Sequence, residues 1–381
     1  EKRHVRFAPF EVAMAFSQER VTSERASFGF HGAFHFIHLL SPMELSRLMG
    51  ELPANVMCSL DIRDLTRMLI KSPNPQHLQI AQMRAENDNG ANIVAQIALR
   101  GNGIIMAWRG TVHPFRFKPA WAEIEGLPRD QQLAKLKDPA FKARIVSEES
   151  VIPESDIADF LNIVANGWFT HYEMDPDFNY EPTADESVLA RATAAGQAAA
   201  EYGYDLLMKD EGKGFIYFPV LNYRDGNLNF LEDLQVADDT VNSLSDGGAH
   251  CGTICDAASP TFMLEHWVKG RRRGQRIALE QAIKRQCRDT AILYGLHDRG
   301  LVMPGMLADL NVIDMDRLKL GKVWLAFDLP AGGKRLLQKA DGYVATIKSG
   351  QITFREGVMQ GPTPGIVLRG PQASQLAMAA E

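Results

Sequence analysis

The chain has 381 residues, 45% of them hydrophobic, with a formal charge of −6 and a pI near 6.0, enough for one large domain or one large plus one small. This acidic balance argues against a nucleic-acid binder, and no apolar run is long enough to span a membrane. Cys58, Cys251, Cys255 and Cys287 are too few for a disulfide scaffold and suit reduced thiols, and EKRHVRFAPF has no signal-peptide core, so a cytoplasmic protein is expected.

In chain order, the sequence opens on Glu1 rather than Met, so an upstream portion is expected. Residues 33–40 (AFHFIHLL) read as a strand. In a strand, the period of two puts His35 and His38 on opposite faces. In a helix, His31, His35 and His38 would share a face. Four helix starts follow, each a polar N-cap and then proline: Ser41-Pro42, Asn74-Pro75, Asp138-Pro139 and Ser259-Pro260. The side-chain oxygen satisfies an orphan amide, and proline's fixed φ needs no donor. Glu44 adds a capping box to the first, and Asn89-Gly90 stops the second.

Between the helices, residues 54–60, 92–98, 215–220 and 241–245 have strand character. Strand–helix–strand alternation predicts parallel βα units. Residues from about 115 to 210 form helical stretches, including the alanine-rich 187–208, and read as an insertion. The basic run 269–276 (KGRRRGQR) reads as a solvated loop between helices in preference to a phosphate or acidic-ligand site. After Asp289, the pieces ADLNVIDM, YVATIKSG and QITFREG predict a small β domain. The fold expected is α/β: a partial (β/α)8 barrel over residues 1–300 with the helical insertion, and a β segment over 301–381. Four or five candidate strands fall short of the eight a barrel needs, so an unpaired edge open to completion by another chain is expected.

The segment with the clearest chemistry is 241–256, VNSLSDGGAHCGTICD. In a βα barrel, strand C-termini face the active site, so Asp246 would present its carboxylate there; alternatively it caps the turn that follows. Gly247 and Gly248 permit a sharp turn and close approach to a substrate, and His250 lies four residues beyond Asp246. Ser245 to Gly252 (SDGGAHCG) resembles the last-strand motif of metal-dependent amidohydrolases of the N-acyl-D-amino-acid deacylase (D-aminoacylase-like) subgroup. Arg288-Asp289-Thr290, Tyr294-Gly295-Leu296, Asp298 to Leu301, Pro304-Gly305, Ala308-Asp309-Leu310, Gly342-Tyr343-Val344 and Gly365 to Gly370 resemble the family's closing segments. Upstream, Val112 to Phe115 and Leu221 to Asn227 also resemble this subgroup. The resemblance runs from about residue 90 to 370.

The resemblance implies hydrolysis of the amide of an N-acyl-D-amino acid or related small molecule. It also implies one or two divalent ions, usually Zn²⁺, that activate water. Asp246 would bind metal and shuttle the proton. The family's metal site begins with a His-x-His pair on its first barrel strand. No His-x-His occurs in this chain, and the expectation places it ahead of Glu1. His35 and His38 are the candidate substitutes; Gly247, His250, Asn222, Tyr223 and His113 are the candidate substrate contacts. Cys251 and Cys255 lack the second pair of a structural zinc site. His266 reads as a packed boundary residue. Homo-oligomerisation is left open. The competing reading is a truncated or non-catalytic homologue acting as a binding or assembly module.

Overall fold

The structure, a computed structural model, describes residues 56–59, 75–155, 157–175, 177–223, 225–242 and 250–373. The helix predicted at Ser41-Pro42 and the strand at 33–40 lie outside the described residues. Strand β1 (Val56–Ser59) pairs in parallel with β2 (Ile93–Ile97), and β2 with β6 (Thr240–Asn242), giving the order β1-β2-β6. Helix α1 (Pro75–Asp88) begins at the proline that marks it. It stops where Gly90 takes φ 96° and donates its N–H to the Asn87 carbonyl at 3.0 Å. Ile80 and Met83 of α1 pack with Ile93, Ala95, Ile97 and Leu234. Ile93, Ala95, Gln96 and Ile97 are all buried, as expected for a parallel strand covered on both faces.

Beyond β2 the chain turns into β3 (Asn102–Met106) and then helices α2 (Pro119–Ile124), α3 (Arg129–Lys137), α4 (Pro139–Ser147) and α5 (Ala158–Asn166). Asp138 caps α4 as predicted, its carboxylate accepting from the Ala140 N–H at 2.9 Å. Strand β4 (Tyr172–Glu173), helices α6 (Val188–Ala195) and α7 (Ala199–Gly212) and strand β5 (Ile216–Leu221) follow. The alanine-rich stretch is two helices, because Gly196 enters the left-handed region at φ 66° and ends α6. Strand β5 departs from the parallel βα expectation. It pairs antiparallel with β3 and β4 in the order β3-β5-β4. The helical stretch is therefore built onto a sheet whose strands β3 and β5 bracket it in sequence. Ile104, Met106, Ile216 and Phe218 of this sheet pack against Trp121, Phe141 and Val164 of the helices.

Two histidines are buried in this second core. His171 is fully buried beside Trp168 and Phe218, with ring centroids 5.4 and 5.2 Å away. Burial lowers its pKa to about 3. A histidine whose folded pKa is depressed is protonated first in the unfolded state. Its contribution is thus fully present above pH 6.5 and is lost as the pH falls from 6.5 toward 3. Urea unfolding should show about 1–3 kcal/mol lost to this histidine between pH 6.5 and 4.5. A His171→Phe variant that keeps the full acid sensitivity of the wild type would refute that origin.

Helix α8 (Asn229–Leu234) leads to β6. Helix α9 (Ser259–Phe262) carries proline in its first turn and runs on as a π-helical stretch, Met263–Gly270. Helix α10 (Leu279–Lys284) likewise continues through Arg285–Asp289 to Thr290–Leu293. The tail forms β7 (Leu310–Ile313), β8 (Lys319–Leu329), β9 (Gly333–Asp341), β10 (Tyr343–Lys348), β11 (Gln351–Arg355) and β12 (Val358–Met359). Strands β12-β11-β10-β7 make one antiparallel sheet, and β8–β9 a separate hairpin. The pieces read as β7, β10 and β11 are strands; the hairpin was not anticipated. Among the described residues, no helix is long and apolar enough to cross a membrane.

Candidate active site

The C-terminal ends of β2 and β6 lie side by side, with Ile97 opposite Asn242. Where the chain leaves β2, Arg100 is 2% exposed. Its Nη2 donates to the Cys255 carbonyl at 2.6 Å and to Asp256 Oδ1 at 2.9 Å. The guanidinium lies 3.8 Å from the Tyr180 ring centroid. Burial opposes this charge, but Tyr180, Asp256 and Tyr217 more than offset it, and the Arg100 pKa is raised. Asn102 Nδ2 donates to the second Asp256 oxygen at 3.4 Å, and Asn222 Nδ2 donates to Asn102 Oδ1 at 3.0 Å. Asn222 holds φ 59° at the end of β5, a left-handed conformation that asparagine tolerates better than most residues. A polar chain, Arg100–Asp256–Asn102–Asn222, thus closes the junction of the two sheets.

The segment after Asp246 forms the other side of this junction. His250 takes φ 51°, and its carbonyl accepts from the Thr253 and Ile254 amides at 2.8 and 2.9 Å. The Ile105 N–H reaches the Thr253 carbonyl at 2.7 Å, and the Leu336 N–H of β9 reaches Cys251 at 2.6 Å. Gly252 permits the approach of Thr111, whose Oγ1 would lie 2.4 Å from an added Cβ. Segment 250–256 is therefore stitched to β3 on one side and to the hairpin on the other.

Of the residues singled out in the sequence, Asn222 joins this junction through Asn102 and Asp256, and His250 opens the 250–256 segment that ends at Asp256. Tyr223 turns elsewhere: its hydroxyl donates to the Pro182 carbonyl at 2.5 Å and accepts from Arg273 Nη1 at 3.2 Å. His113 lies in the aromatic core of the helical region, 1% exposed, with centroids 4.2 Å from Trp121 and 4.9 Å from Trp108. Burial, with Arg116 and Lys334 nearby, holds its pKa well below the ordinary value. Asp246, Gly247, His35 and His38 lie outside the described residues. Arg100, Asn102 and Asp256 were not singled out. Asp256 ends the quoted 241–256 motif, but nothing in its local pattern marks a partner 156 residues away.

Most of the basic run is exposed, as expected of a solvated loop, but Arg271 departs from that reading. The Arg271 side chain is fully buried, meeting Glu181 at 3.4 Å, Glu232 at 2.5 Å and Asn229 Oδ1 at 2.8 Å. Its guanidinium lies 4.4 Å from the Trp267 centroid. The burial is tolerated because two carboxylates from distant segments neutralise the charge. Glu181 also accepts from the Leu228 N–H at 2.9 Å and meets His266 Nε2 at 3.0 Å. Burial alone would raise the Glu181 pKa, but His266, Leu228 and Arg271 hold it below the usual carboxylate range. His266 is a packed boundary residue, as read, stacked on Phe262 at 4.6 Å.

A divalent metal needs three or more convergent ligands. Among the described residues, no group of three His, Cys, Asp or Glu side chains could hold one. Burial pushes the Cys255 thiol up to about 11, so it is protonated near neutral pH. The described residues therefore do not by themselves fit a metal.

The amidohydrolase family model matches residues 47–354 of the chain. Among solved structures, the chain is similar to an N-acyl-D-glutamate deacylase from Bordetella bronchiseptica, complexed with zinc and a phosphonate inhibitor. That match has 15% identity and a TM-score of 0.39, over 88% of this chain and 52% of that one. The chain is also similar to a D-aminoacylase structure described as defining a novel subset of amidohydrolases. Here the identity is 15% and the TM-score 0.35, over 84% of this chain and 57% of that one. The chain thus spans about half the length of the solved structures it matches. No curated protein matches the sequence.

Proposed function

The chain belongs to the amidohydrolase family, and from that premise we propose that it acts on the amide bond of an N-acyl-D-amino acid, with Asp246 as the proton shuttle. The observation that carries this reading is the motif Ser245-Asp246-Gly247-Gly248-Ala249-His250, which follows β6 in the parallel sheet. Water adds to the acyl carbonyl, and its proton passes to the Asp246 carboxylate. The C–N bond then breaks, the proton moves to the departing amine, and a carboxylate and a free amino acid leave. The cofactor proposed is a divalent cation, Zn²⁺ first, whose chemistry when bound is to make water more acidic and polarise the carbonyl. The architecture proposed is a (β/α)8-type barrel to which β1, β2 and β6 contribute neighbouring strands. Asn222 and His250 are the proposed substrate contacts, Asn222 being supported in place by Asn102 and Asp256.

The test is release of free amino acid from paired N-acyl-D- and N-acyl-L-amino acids by the full chain with added Zn²⁺. Zn²⁺-dependent release from the D-series alone is expected. Release from the L-series at an equal rate would remove the D-preference. Absence of turnover by a folded chain would favour the binding or assembly module over the enzyme.

A further inference from the structure

A cavity of about 540 Å³ opens between the end of α7, the turn after β4, the π-helical stretch and β8. It includes none of the strand-end residues Asn102, Asn222, His250 or Asp256. Its apolar wall is aromatic. Phe178 and Tyr180 meet edge to face at 5.1 Å, and Tyr180 meets Phe262 in the same way at 5.7 Å. Such a wall accepts a flat or acyl body without a polar partner.

The lining carries six lysines and arginines and six carboxylates, but they are not all paired with one another. Lys209 is paired with Glu173, Lys319 with Asp177 and Lys322 with Asp210. Lys213, Arg272 and Arg273 also line the cavity, yet none has a carboxylate within ion-pair distance among the described residues. Arg273 is hydrogen-bonded to the Glu181 and Pro182 carbonyls and to the Tyr223 hydroxyl, which leave its charge uncompensated. Two lining carboxylates, Asp175 and Glu265, are likewise outside ion pairs and accept from the Asp177 and Leu320 amides, bonds that leave their charges in place. The wall segment before Lys213 holds Asp210, Glu211 and Gly212 in succession at φ 51°, 62° and 74°, a turn that costs conformational energy at its two non-glycine positions.

We propose that this cavity is a second ligand site, for a small organic carboxylate with an aromatic or acyl body. The aromatic wall takes the body, and Lys213, Arg272 and Arg273 take the carboxylate. The site does not depend on the amide-hydrolysis reading.

Calorimetric titration of the full chain with phenylacetate tests it, with neutral phenylacetamide as the matched control. Phenylacetate should bind saturably, and phenylacetamide at least about tenfold more weakly. The double variant Lys213→Glu/Arg272→Glu should also lose at least about tenfold in phenylacetate affinity. Both positions are exposed, so circular dichroism should be unchanged; if it is not, Lys213→Gln/Arg272→Gln is read instead. No saturable binding, equal binding of the amide, or unaltered affinity in the folded double variant would overturn the proposal.

Discussion

Asp246→Asn is expected to lower kcat/KM for an N-acyl-D-amino acid by about 10²–10⁴-fold, the range associated with a positioned general acid–base group. The substitution keeps nearly the same shape and removes the group that takes and returns a proton. The activity remaining should also lose the acidic limb of its pH profile, because an amide does not titrate in that range. Asp246→Glu should recover part of the rate while restoring that limb. Metal content measured on the same preparations separates proton transfer from ligation. Were both substitutions to leave kcat/KM and the pH profile as in the wild type, Asp246 would be a turn cap, the reading its local sequence leaves equally open.

The second large effect concerns stability. Arg271→Met should cost about 3–5 kcal/mol in urea unfolding, the usual penalty for removing one partner of a buried ion pair. Arg271 has no exposed side-chain surface, and Glu181 beside it is 1% exposed. Without the guanidinium, Glu181 keeps His266 and the Leu228 N–H but loses the fixed charge that compensates it. Adding Glu181→Gln should therefore recover part of the loss, because the desolvated carboxylate goes with it. Arg271→Lys should not substitute well: a single ammonium cannot reach Glu181, Glu232 and Asn229 together as the planar guanidinium does. An Arg271→Met variant unfolding at the wild-type urea concentration would place this residue in solvent, as the basic run alone suggested.

Local rules carried much of the architecture. Asp138-Pro139 marks a helix start that needs only a carboxylate and the amide two residues on, and Asn89-Gly90 marks a stop that needs only one left-handed residue. The apolar run of β2 and the short tail strands were legible because strand patterning acts over a few neighbours. The linked motifs from Ser245 to Gly370 were legible as a set, and the amidohydrolase family model covers most of that span. The β8–β9 hairpin was missed. Its sequence, KLGKVWLAFDL with GKRLLQKAD, mixes charge among the apolar residues, and its strand character comes from pairing with itself.

What the sequence determined alone was therefore the family, the run of local elements and Asp246 as the leading candidate. Tertiary structure decided that β5 runs antiparallel between β3 and β4, that Asn222 reaches Asp256 through Asn102, and that Arg271 is buried. The physical reason is range. Caps, turns and strand periods are settled by neighbours a few residues apart, whereas the Arg271–Glu181 pair joins residues 90 apart and Arg100–Asp256 joins residues 156 apart. Such contacts form only after the chain has met the entropy of closing those loops, through the burial of cores that no local pattern specifies.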